Sequence, residues 1–170
     1  EGTNFTDSLL VGHSTTGTLN AAEDNTGVGI DALDALTSGD NNTAVGSAAG
    51  SAINSGIRNT VIGSIAGDAV TTGRMTTAVG YSALTTVSTN DYNTAVGAYT
   101  LSAATGVSNT ALGKSAGALV AAGAYNIMLG YQAGDNITSG DGNVCIGVDA
   151  DPSSATGDRQ LIIQGSDTST

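Results

Sequence analysis

The sequence predicts an all-β fold, a parallel β-roll or β-solenoid of about nine 17-residue coils. Three observations predict it. A glycine that follows an aliphatic residue recurs at a fixed spacing, small side chains replace bulky ones throughout, and each glycine closes a short β-branched stretch bounded by turn formers.

The recurring glycine is position zero of the repeat. It falls at Gly12, Gly29, Gly46, Gly63, Gly80, Gly97, Gly113, Gly130 and Gly147, 17 residues apart except for the 16 between Gly97 and Gly113. Position minus one is aliphatic throughout: Val11, Val28, Val45, Ile62, Val79, Val96, Leu112, Leu129 and Ile146. Position minus three is mostly Thr. Position minus four is Asn25, Asn42, Asn59, Asn93, Asn109, Asn126 and Asn143, with Ser8 and Thr76 as departures. A unit this short cannot bury a face alone, so neighbouring units must stack and share one core. It is too short for a helical hairpin and suits one solenoid coil, with Asn-Thr-Ala-Val-Gly as its strand. The Asn column is read as structural, its amides satisfying backbone groups at the bend in each coil.

The rest of each coil is less regular. A small residue stands at plus three (Ala32, Ala49, Ala66, Ala83) and a larger apolar one at plus seven (Leu19, Leu36, Ile53, Val70, Val87). This spacing fits a turn of helix as well as a bent strand. Gly50, Gly67, Gly117 and Gly134 at plus four weigh against helix, where Gly costs ~1 kcal/mol relative to Ala. A second short strand is expected, with a short helical turn as the alternative. The glycines at plus ten (Gly39, Gly56, Gly73, Gly123, Gly140, Gly157) suit a left-handed turn that closes the coil.

Strand parity sends Thr and the aliphatic residue to one side, Asn and the minus-two residue to the other. The minus-two column is Ala44, Val61, Ala78, Ala95, Ala111, Met128 and Cys145, so both sides are largely apolar, as in strands covered on both faces. One coil has one interior. The second apolar side is therefore expected to meet an identical chain, and the minus-two column is assigned to that oligomer interface. Stacking at ~4.8 Å per strand makes the nine coils a rod roughly 40 Å long. Residues 1–8 read as a lead-in, 9–151 as the repeat roll, and 152–170 as a terminal coil or junction with a polar tail.

Composition agrees with this architecture and excludes several functions. Of 170 residues 25 are Gly, none is Trp and one is Phe, which rules out a conventional large-residue core. Fifteen acids against four bases give a net charge of -11. Only Arg58, Arg74, Lys114 and Arg159 could neutralise phosphates, so nucleic acid is not an expected partner. No apolar run approaches the ~18–20 residues of a membrane span, so membrane insertion is not expected.

The units Asn42-Thr-Ala-Val-Gly46, Asn93-Thr-Ala-Val-Gly97 and Asn109-Thr-Ala-Leu-Gly113 resemble the repeats of trimeric autotransporter adhesin heads. They are still more similar to the Asn-Thr-Ala-Val-Gly arrays of bacteriophage tail-fibre and other structural proteins. The resemblance covers roughly residues 8–165. It implies a left-handed parallel β-roll, three chains about a common axis, attachment as the task, and a virion or extracellular location. The adhesin unit is usually about 14 residues rather than 17.

Candidate chemistry is sparse, and no catalytic, cofactor or metal residue is assigned. His13 is the only histidine, so a metal pair is absent and any Ser-His-Asp triad would rest on it. Cys145 fills a slot held elsewhere by Ala, Val and Met and reads as a small core residue. Gly113-Lys114-Ser115 is not a phosphate loop, because six residues separate Gly106 from Gly113 where the motif needs four. Asp40, Asp91, Asp141 and Asp158 fall in equivalent turns, where a Ca²⁺ role is weighed against solvated turn acids. Tyr81, Tyr92, Tyr99, Tyr125 and Tyr131 give a glycosidase cleft few aromatic platforms.

The expected function is a non-enzymatic structural or adhesive segment of a trimeric fibre that spaces or presents a receptor-binding tip. Its partners are copies of itself and a host-surface receptor or glycan. A monomeric ice-binding solenoid with a Thr-bearing face is the first alternative, and a polysaccharide-degrading spike the second.

Overall fold

The computed structural model describes residues 5–6, 8–12, 22–86, 89 and 91–165. His13, Leu19 and Val87 lie outside them. The chain is an all-β solenoid, and among the described residues there is no helix. Two short strands, β1 (Phe5–Thr6) and β3 (Ala22–Glu23), pair with each other. The other ten form one parallel sheet: β2 (Leu9–Val11), β4 (Thr26–Val28), β5 (Thr43–Val45), β6 (Thr60–Ile62), β7 (Thr77–Val79), β8 (Thr94–Val96), β9 (Thr110–Leu112), β10 (Ile127–Leu129), β11 (Val144–Ile146) and β12 (Leu161–Ile163).

Spatial order follows chain order, and each strand lies beside its predecessor in the same register. Thr43 pairs with Thr60, Ala44 with Val61 and Val45 with Ile62. The period therefore equals one coil. β12 continues the register, with Val144 against Leu161, so residues 152–165 complete a last coil.

Among the described residues, neither a second strand nor a helical turn occupies positions plus three to plus seven. The chain instead makes consecutive turns, with Ala32 N–H donating to Gly29 O at 3.3 Å and Leu36 N–H to Leu33 O at 3.1 Å. Between those turns, backbone bonds run from coil to coil: Leu33 N–H to Ala49 O, Ala48 N–H to Ile30 O. Regular strand geometry is precluded because plus two and plus four are left-handed, as at Asp31 and Leu33 with φ of 58°.

The glycines at plus ten also differ from expectation, since none is among the residues of positive φ. They are required by stacking. A Cβ on Gly56 would stand 2.6 Å from the carbonyl oxygen of Gly73 in the next coil and 2.9 Å from Asn59 Nδ2. The left-handed closing residue is at minus five instead: Asp24, Asn41, Arg58, Met75, Tyr92, Ser108, Tyr125, Gly142 and Arg159, with φ of 53–67° at all but Met75, where it is 51°. Position zero needs glycine twice over. At Gly46 φ is 134°, and an added Cβ would meet Gly63 C and O at 2.6 Å.

The core is one column inside the coil. It consists of the minus-two residues, the plus-three small residues and the plus-seven aliphatics, among them Ala44, Ala49, Ile53, Val61, Ala66 and Val70, all fully buried. Position plus four adjusts the volume. Leu84 and Leu101 occupy it where the flanking minus-two residues are Ala78, Ala95 and Ala111. Glycine occupies it beside the larger ones: a Cβ on Gly67 would lie 2.6 Å from Val61 Cγ1, and one on Gly117 2.6 Å from Met128 Sδ.

Candidate functional site

The minus-two column is not an oligomer interface. Ala44, Val61, Ala78, Ala95, Ala111, Met128 and Cys145 are buried within the single chain, 0–1% exposed. The physical reason is cross-section. A 17-residue coil is narrow, the plus-four and plus-seven side chains fill it from one side, and only small or slender residues fit opposite.

The Asn column shares that interior and explains why it accepts polar groups. Asn42 Nδ2 donates to Gly56 O at 2.8 Å and to Asn25 Oδ1 at 3.0 Å, while Asn25 Oδ1 also accepts Asn42 N–H at 2.9 Å. Asn59 repeats the pattern on Asn42 and Gly73. Each amide thus closes its own coil against the plus-ten glycine and ties the next coil to it. Asn109, Asn126 and Asn143 do the same on Gly123, Gly140 and Gly157. Asn93 reaches Gly106 over 13 residues rather than 14. The ladder ends in substitutes, Ser8 Oγ accepting Asn25 N–H and Gln160 N–H donating to Asn143 Oδ1.

The turn acids are structural too. Asp40 Oδ1 accepts the Glu23 N–H at 2.9 Å, Asp91 that of Arg74 at 2.8 Å, Asp141 that of Ala124 at 2.8 Å, and Asp158 that of Asp141 at 2.9 Å. Among the described residues no three His, Cys, Asp or Glu groups are placed to hold a metal ion. Two carboxyls are held above their ordinary range: Asp68 by burial, and Asp151 by burial followed by the charge of Asp135. Burial, and then the charge of Asp151, pushes the Cys145 thiol up to about 11, the state of an unreactive core residue.

What remains for function is the outer side of the sheet. The aliphatic column at minus one is turned outward, with Val11, Val28, Val45, Ile62, Leu112 and Leu129 exposed and Val79, Val96 and Ile146 half-buried. Beside it run Thr26, Thr43, Thr60, Thr77, Thr94 and Thr110, aligned by the register of six consecutive strands. In the last three strands the Thr column becomes Ile127, Val144 and Leu161, so the face is aliphatic in both columns there. At its edges, the Tyr81 and Tyr99 rings meet edge to face at 5.3 Å, and Lys114 Nζ lies 5.7 Å from the Tyr131 ring centre.

Sequence reasoning found two apolar sides but exchanged them. The signal that separates them is the Asn column. A buried Asn at minus four shares its parity with minus two, so whichever side hides the amides also hides the alanines. No family model matches the chain, and no curated protein or solved structure matches it.

Proposed function

We propose that the chain is a non-enzymatic structural and adhesive segment of a fibre, built by three copies that associate through the outer sheet face, on a virion appendage or cell surface. The observation that carries the reading is the unbroken outward aliphatic column from Val11 to Ile146, an apolar strip about 40 Å long. Soluble monomers rarely leave so continuous a strip uncovered. What supports self-association is this column, and what supports three copies is the resemblance of the Asn-Thr-Ala-Val-Gly units. The rod would then space or present a receptor-binding tip, with weak contacts strengthened by copy number.

Sedimentation equilibrium over a range of concentrations tests it. The expected mass is three times 16.5 kDa. Ile62→Lys with Leu112→Lys, both on the outer column, is expected to give a folded monomer. A wild-type chain that is monomeric at every concentration overturns the proposal. A second reading, a monomeric ice-binding solenoid, is favoured by the six aligned threonines alone. It requires a monomer that inhibits ice recrystallisation, and a trimer without that activity removes it.

A further inference from the structure

We propose that the corner ahead of the sheet binds an extended, neutral, β-1,4-linked glycan laid along the rod, with Tyr92 and Tyr125 as stacking platforms. This names the partner for the adhesive half of the fibre reading and does not depend on the threefold half.

The argument begins with position minus five. Every coil needs a left-handed residue there, and Gly142 shows that glycine serves. Tyrosine is a poor choice for the backbone, because bulky residues pay strain in that region. Packing repays only part of this, since Tyr92 and Tyr125 are the two most exposed of the five tyrosines, at 54% and 64%. The fold therefore gives little reason for the rings.

Their order along the rod does suggest one. Position minus five reads Arg58, Met75, Tyr92, Ser108, Tyr125, Gly142, Arg159 in successive coils. From Arg58 to Arg159 a flat group, guanidinium or phenol, stands in every second coil, and flexible or small residues stand between; Asp24, two coils before Arg58, lies outside this series. Two coils span about 9.6 Å. That is close to, and slightly shorter than, one disaccharide step in an extended β-1,4-linked chain, which turns the same sugar face to a surface at every second residue. Flat groups in that step would meet the chain repeatedly without any pocket, and an open row suits a polymer rather than a small molecule. A polyanion is disfavoured by the net charge of -11.

The test is retention of the whole chain on microcrystalline cellulose, chitin, alginate and dextran beads, with affinity measured by depletion. Binding to cellulose or chitin that persists in high salt is expected. Tyr92→Asn with Tyr125→Asn is expected to weaken it about tenfold or more. Asn is chosen because Asn41 holds the same position and conformation, so an unchanged circular dichroism melt accompanies the loss. Tyr125→Asn with Ser108→Tyr, which places two rings one coil apart, is expected not to restore binding. Tyr99→Ser, on the opposite edge, is expected to leave it intact. Retention on alginate or dextran only, no retention on any matrix, or a double variant that binds like the wild type overturns the proposal. The same samples in the centrifuge report self-association separately, so a monomer that still binds cellulose or chitin sinks the threefold assembly and leaves the glycan row standing.

Discussion

Individual residues in this chain are set by what the next coil places against them. Asn42 illustrates it, giving two hydrogens and accepting two through one amide that never meets water. Asp68 is an exception, since its Oδ1 is buried without a hydrogen-bond partner and burial favours the neutral form of the carboxyl. Asp151 is shifted in the same direction. A carboxyl whose pKa is raised by folding favours the fold most below its ordinary value of 3.8 and loses that contribution as the pH rises through the folded-state value. Asp68→Ser, which copies Ser51 of the preceding coil, and Asp151→Asn are therefore expected to raise Tm at pH 7. The gain should vanish at pH 3. Thermal melts at the two pH values measure this, and a lower Tm for both variants at pH 7 would contradict the burial argument.

At the scale of the element, a coil is a strand and a set of turns whose interior volume is held constant by two positions acting together. Leu at plus four accompanies Ala at minus two, and Gly at plus four accompanies Val61 or Met128. Gly67→Leu alone should overpack the coil and cost about 1–3 kcal/mol. Val61→Ala alone leaves a void. Together they should recreate the arrangement around Leu84, where φ is 57° against 55° at Gly67, so the double variant is expected to be more stable than the sum of the two losses. Strict additivity in denaturant unfolding would show that the positions do not share volume. The shortened coil shows where length is elastic. Up to Ala104 its turns match those of other coils, and Gly106 already does the work of a plus-ten glycine, so the omitted residue is the plus-nine one, exposed as Ser38 in another coil.

The whole molecule is a stack in which each coil touches only its neighbours, so its stability approximates a sum over coils and their contacts. Removing residues 94–109 joins Asn93 to Thr110 and sets Leu84 between Ala78 and Ala111, a pairing of Leu with flanking alanines that the protein already uses at Leu101. This variant is expected to keep its β-type circular dichroism spectrum and to melt a few degrees lower. Removing only residues 102–109 puts every following strand out of register and should abolish cooperative melting. Equal damage from both deletions would refute nearest-neighbour stacking.

The amino-acid sequence alone determined the coil length, the strand, the parallel stacking and the structural role of the Asn column, because a repeat that cannot hide its apolar side alone has few ways to do so. The tertiary structure alone decided which side of the strand is inside. Thr-x-Val and Asn-x-Ala each pair a polar with an apolar residue, so the side is settled only once the Asn amides are known to be buried, and larger aliphatics at minus one suggested a core that the narrow coil has no room to hold. It also decided the turns, since left-handed residues such as Leu33 and Leu84 follow from the stacking of one coil on the next and leave no mark in local propensity.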